Sequence, residues 1–139
     1  MSAIEDAKSA VQGALAKGGS AGPLQLLGGI RLGIGVAYVV VPGITGRLLG
    51  LKPGRNPQLN YVSRVAGATN AAIGAALLAG PPEGRPALVQ VGLAGDVLSL
   101  LATRMAKKKG SIGFRAASVS YLLDLGTAGL SAAVVSGKS

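Results

Sequence analysis

Four stretches of the chain are almost continuously apolar, and prolines or basic residues separate them. They are LQLLGGIRLGIGVAYVVV (24–41), YVSRVAGATNAAIGAALLAG (61–80), ALVQVGLAGDVLSLLATRM (87–105) and FRAASVSYLLDLGTAGLSAAVVSG (114–137). Each is close to the ~20 residues that a helix needs to cross hydrocarbon. Pro23 and Pro42 flank the first, Pro57 and Pro81–Pro82 the second, Pro86 and Lys107–Lys109 the third; Lys138 follows the last. The polar and small positions recur at helical spacing, one stripe per segment. Arg31, Gly35 and Tyr38 align in the first. Ser63, Gly67, Asn70 and Gly74 align in the second, with Arg64 at their border. The third has Gly92, Asp96, Ser99 and Thr103, and the fourth Ser120, Tyr121, Asp124, Thr127 and Ser131. The pattern predicts an all-α, four-helix transmembrane bundle with these stripes turned inward and Leu, Val, Ile and Ala turned to lipid. A soluble four-helix bundle is the alternative, but its helices would carry broad charged faces, which are missing here.

Outside the four runs, residues 2–17 (SAIEDAKSAVQGALAK) place Glu5 three positions after Ser2, the spacing of a capping box. Ile4, Ala7, Val11, Ala14 and Leu15 then share one face. An N-terminal amphipathic helix is expected, lying on the membrane surface or against a partner. GGSAGP (18–23) reads as a linker, so residues 1–23 stand apart from a four-span domain at 24–137. Residues 1–23 contain no apolar core of the kind found in a signal peptide. PGITGRLLGL (42–51) predicts a short interfacial helix after a proline break, and PPEGRP (81–86) a stiff turn.

Composition strengthens the membrane reading. Hydrophobic residues make up 49% of the 139 positions, mean hydropathy is +0.50 and charged residues are only 14%, against ~25% in ordinary soluble domains. The chain holds 23 glycines. A glycine within a helix costs ~1 kcal/mol relative to alanine in water, a cost that close helix approach in a bilayer can offset. Gly29 with Gly33, Ala68 with Ala72 and Ala76, Gly67 with Gly74, and Gly126 with Gly129 are the expected contact pairs. Neither cysteine nor histidine occurs. Thiolate zinc sites, cysteine nucleophiles, Ser-His-Asp triads and imidazole ligation of metal or haem are therefore excluded. GGIRLG (28–33) has no strand–helix context for a phosphate loop. No catalytic, cofactor-binding or metal-ligating residue is assigned, and a non-enzyme is expected.

The formal charge is +9, which raises nucleic acid as a partner. Aromatic residues are only 3%, so stacking platforms are scarce. The basic residues instead flank apolar runs: Arg47, Lys52, Arg55, Arg104, Lys107, Lys108, Lys109 and Arg115. On the other side stand Lys8, Lys17, Arg85 and Lys138. The positive-inside rule puts loops 42–60 and 106–113 in the cytoplasm and both termini outward, in a multi-pass protein of the inner (plasma) membrane. The partners expected are the lipid bilayer and either further copies of the chain or a larger membrane complex, not nucleic acid.

Four ionisable residues fall inside the spans: Arg31, Arg64, Asp96 and Asp124. Each is costly in hydrocarbon unless paired. With a rise of ~1.5 Å per residue, Arg31 and Asp96 lie about 10 and 13 Å from one membrane face. By the same rise, Arg64 and Asp124 lie about 5 and 15 Å from the other. Two Arg–Asp pairs are expected within a polar network of Arg31, Tyr38, Arg64, Asn70, Asp96, Ser99, Tyr121, Asp124 and Thr127. Such a network can fix helix pairing and register, in a non-catalytic accessory or scaffold subunit. The alternative is a small oligomeric transporter or channel using the same residues as a polar path. A carboxylate beside an arginine stays ionised, which argues against proton relay unless the pair opens.

The first two spans, GIRLGIGVAYVVVPGITGRLLGL and SRVAGATNAAIGAALL, resemble small bacterial four-helix membrane proteins of the loosely DoxX-like kind, with an actinobacterial Gly/Ala-rich composition. The resemblance covers about residues 28–130. It implies a four-helix bundle and, in some members, association with a membrane redox complex. It assigns no functional residue.

Overall fold

The computed structural model describes residues 22–137, together with Glu5, Asp6 and Ser9. Those three are helical and exposed; the rest of the expected amphipathic helix and linker lies outside the described residues. The elements are α1 (Pro23–Val40), α2 (Pro42–Leu48), α3 (Gln58–Ala79), a 3-10 turn (Pro82–Gly84), α4 (Arg85–Lys108) and α5 (Phe114–Val135), with no strand among the described residues. The four long helices are long and apolar enough to cross a membrane. This is the architecture of a multi-pass integral membrane protein.

Prolines set most of the boundaries. Pro23 and Pro42 open α1 and α2 at first-turn positions, where the missing N–H is no loss. For the same reason α4 takes in Arg85 and Pro86 instead of starting after them. It also runs on to Lys108, so Lys107 and Lys108 occupy its last turn, where cations complement the helix dipole. The loop expected at 106–113 therefore shrinks to 109–113. Arg104 is likewise helical, as are Arg47 in α2 and Arg115 in the first turn of α5. The break between α1 and α2 is stitched by the Thr45 hydroxyl, which donates to the carbonyls of Val41 (2.9 Å) and Ala37 (3.1 Å). After α2 the chain reverses at Gly50 (φ +81°), with Leu51 N–H bonded to the Gly46 carbonyl at 2.8 Å. That left-handed turn suits glycine, and it also closes the helix end.

The helices form a ring in the order α1, α3, α4, α5, with α1 packed most closely on α3, and α4 on α5. The α1–α3 seam rests on one pattern used twice in opposite directions. Gly28 and Gly35 stand three residues before and four after Arg31; Gly67 and Gly74 stand three before and four after Asn70. A Cβ on Gly35 would stand 2.6 Å from the Gly67 carbonyl oxygen and 2.7 Å from Ala71 Cα. One on Gly74 would stand 2.7 Å from the Gly28 carbonyl oxygen. Backbone meets backbone at both ends of the seam, as small residues permit in membranes.

The other small-residue pairs do not form contacts within the bundle. Gly29, Gly33, Gly126 and Gly129 have open space where a Cβ would lie. Ala68 and Ala72 are exposed and Ala76 is half-buried. Their spacing is right, but they lie on the outer faces of their helices.

Along its axis the bundle has three layers. At the end near the 3-10 turn an apolar plug buries Leu27, Leu77 and Val89, backed by Leu130 and Val134. The middle layer is polar and holds Arg31, Asn70, Asp96 and Thr127. Beyond it the helices line a half-open cavity on the basic side, with exposed Val62, Ala66 and Ser99 at its rim. The exterior is apolar: Leu98 is 65% exposed, Leu122 72% and Val91 59%. Lipid would cover such a surface.

Candidate intramembrane polar site

Arg31 is the centre of the middle layer. It points inward because the glycines that seat α1 on α3 share its face. Its Nη2 lies 2.6 Å from Asp96 Oδ2, and its Nη1 donates to Asn70 Oδ1 at 3.0 Å. Arg31 and Asp96 are 4% and 6% exposed, so the pair is withdrawn from solvent and closed. One guanidinium thus ties α1 to both α3 and α4. No Cα atoms of α1 and α4 come within 8 Å of each other, because the two helices are diagonal in the ring. Only a long planar side chain with several donors spans that gap while serving two acceptors. Gly92, one turn before Asp96, makes the room: a Cβ there would stand 2.8 Å from Nη2 and 3.0 Å from Cζ of Arg31. Arg31 Nε is buried and unpartnered.

Asp124 has a different environment. Its Oδ2 accepts a hydrogen bond from the Ser99 hydroxyl at 2.7 Å, which joins α5 to α4. The expected pairing with Arg64 does not form. Arg64 is exposed, and its Nε donates to the Val39 carbonyl at 3.2 Å. Rise per residue fixes only the position along the axis, not the direction around it. Arg64 follows Ser63, which is buried, so its own Cβ lies about 100° round the helix and outside the bundle. Tyr121 does not join the network either: it is half-buried and away from the cavity lining. Thr127 is buried, and its hydroxyl donates back to the carbonyls of Leu123 and Asp124 at 3.1 and 3.2 Å.

The cavity has a volume of about 300 Å³ and is bounded by Tyr38, Asn70, Asp96, Ser99, Asp124 and Thr127, with Ser63 and Ser120 adding hydroxyls. One guanidinium and two carboxylates face it, since Arg64 is turned outward. Leu51 and Leu59 line it at the basic end. Those two were not legible from the sequence, because they sit beside the α2–α3 connection and reach the cavity only through the fold. At the other end the apolar plug separates the cavity from the far side of the bundle.

All eight basic residues singled out above are exposed. Lys107 Nζ stands 4.9 Å from the centre of the Phe114 ring, and Arg115 donates to the Leu48 carbonyl at 3.5 Å. At the opposite end Arg85 donates to the Gly80 carbonyl at 3.2 Å, capping the C-terminus of α3. No family model, curated protein or solved structure matches the chain.

Proposed function

We propose that the protein is a small non-catalytic subunit of the plasma membrane whose buried charges hold its own helices in register. It packs as an accessory or scaffold element onto further copies of itself or onto a larger membrane complex, with its basic end in the cytoplasm. The observation that carries this reading is the closed Arg31–Asp96–Asn70 cluster across the diagonal of the ring. A buried ion pair adds little net stability but specifies which helices meet and at what height. The plug of Leu27, Leu77 and Val89 leaves the cavity blind at one end, as a scaffold tolerates and an open channel does not. The outward glycines and alanines on α1, α3 and α5 offer close approach to a neighbouring helix.

The test is purification in mild detergent followed by mass spectrometry, for the native chain and for Asp96→Asn. The native chain should carry a stoichiometric partner, or itself in multiple copies, and Asp96→Asn should lose folded yield together with that assembly. A monomer without partners would remove the subunit reading.

A second reading, solute transport, draws on one observation: Asp124 faces the cavity with a serine and no guanidinium as its hydrogen-bond partner. In that case Asp124→Asn should keep the fold and abolish flux into vesicles. If Asp124→Asn leaves flux unchanged, that reading is removed.

A further inference from the structure

The basic end of the bundle carries a second concavity, which adjoins the polar cavity at Leu51 and Leu59. A groove of about 460 Å³ runs between the α2–α3 and α4–α5 connections. Lys52, Arg55 and Asn56 line one wall and Ser111 the other, over an apolar floor that includes Leu59 and Ile112. Lys52 and Arg55 are exposed and, among the described residues, make no salt bridge. Asn56 uses its oxygen to accept from Gln58 N–H at 3.1 Å, and its amide nitrogen donates to no group among the described residues. The charge around the groove is of one sign. The chain has five acidic residues, and none lies in 42–60 or 104–115. The groove sits just beyond the ends of α3, α4 and α5, at the level of headgroups when those helices cross a bilayer.

We propose that this groove binds the phosphate of an anionic phospholipid from the surrounding leaflet. Lys52 and Arg55 take the phosphate oxygens, Asn56 and Ser111 donate to the remaining acceptors, and Leu59 and Ile112 lie against the glycerol and first methylenes. A soluble phosphate would satisfy the cations alone. The apolar floor favours an amphipathic ligand, and the bilayer supplies one at high local concentration. The inference does not depend on the subunit reading.

The experiment reconstitutes the full chain in phosphatidylcholine containing a small fraction of spin-labelled phosphatidylglycerol. The motionally restricted lipid fraction is measured by electron paramagnetic resonance. The native chain should hold phosphatidylglycerol in preference to spin-labelled phosphatidylcholine. Replacing Lys52 and Arg55 together by alanine should lower that preference on the order of tenfold, because it removes both charge-assisted contacts to the phosphate. The exchange Lys52→Arg with Arg55→Lys should retain it. Replacing Lys108 and Lys109 together by alanine removes the same charge outside the groove and should change the preference by no more than about twofold. Each variant is first shown to keep its helix content and elution volume, and one that does not is replaced by the charge reversal Lys52→Glu with Arg55→Glu. Equal losses for the groove and control pairs would overturn the proposal in favour of diffuse attraction. Equal retention of phosphatidylcholine would also overturn it. Displacement of the lipid by inorganic phosphate would show a site for free phosphate and overturn the lipid assignment.

Discussion

Gly35→Ala and Gly33→Ala make the same chemical change two residues apart on α1, and the fold predicts opposite signs for them. At Gly33 the new methyl meets nothing within 4 Å. Only helix propensity then acts, and alanine is favoured by roughly 0.5–1 kcal/mol. At Gly35 the methyl meets α3 backbone: the Gly67 oxygen at 2.6 Å and Ala71 Cα at 2.7 Å. Backbone cannot rotate away as a side chain can. Ala71 N lies closer still, so restoring ordinary contact at 3.4 Å requires the helices to part by at least 3.4 − 2.6 = 0.8 Å. A gap of that size forfeits a quarter to a half of each dispersion contact along the seam. Overpacking of this kind costs ~1–3 kcal/mol, and the propensity gain offsets part of it, leaving a loss of about 1–2 kcal/mol. The propensity gain is common to both variants, so they should differ by the overpacking cost, ~1–3 kcal/mol. Reversible unfolding in mixed detergent micelles, followed by circular dichroism, measures that difference. Equal midpoints for the two variants would refute the glycine seam.

Three further perturbations probe other parts of the structure. Asp124→Asn keeps an oxygen to accept from Ser99, so it should cost no more than ~1.5 kcal/mol in the same unfolding assay. Gly50→Ala places a side chain at φ +81° and 3.1 Å from Ala116 N, and it should cost at least ~1 kcal/mol through strain at the α2 terminus. The chain has no cysteine, so single cysteines at Glu83 and Ser111 can be labelled in intact cells without background. An impermeant maleimide should modify the first and spare the second if the basic end is cytoplasmic.

The helices were legible because each apolar run is about one bilayer long and because the proline positions limit where helices start. The Arg31–Asp96 pair was legible because both residues could be measured from the same membrane face, each on the polar stripe of its helix. Arg64 and Asp124 were misassigned because the estimate compared depth without direction: Arg64 borders its stripe and points outside. Of the expected small-residue contacts, Gly67 with Gly74 packs against α1, whereas Gly29 with Gly33, Ala68 with Ala72 and Ala76, and Gly126 with Gly129 do not, because small residues recur on the outer faces too. The pairs that do pack, Gly28 with Gly35 and Gly67 with Gly74, are seven residues apart and flank Arg31 and Asn70. Their position on the polar face was the available signal. The place of Leu51 and Leu59 in the cavity lining had no local signature, since it depends on how the α2–α3 connection packs at the helix ends.

The central claim is that Arg31 and Asp96 act as one cross-bundle tie. A double-mutant cycle with Arg31→Met, Asp96→Leu and the two combined, followed by unfolding in micelles, tests it most directly. Each single change strands a buried charge and should cost ~3–5 kcal/mol. The combined change removes both charges and should cost far less than the sum, with a coupling of at least ~2 kcal/mol. Additive losses, with coupling near zero, would contradict the account.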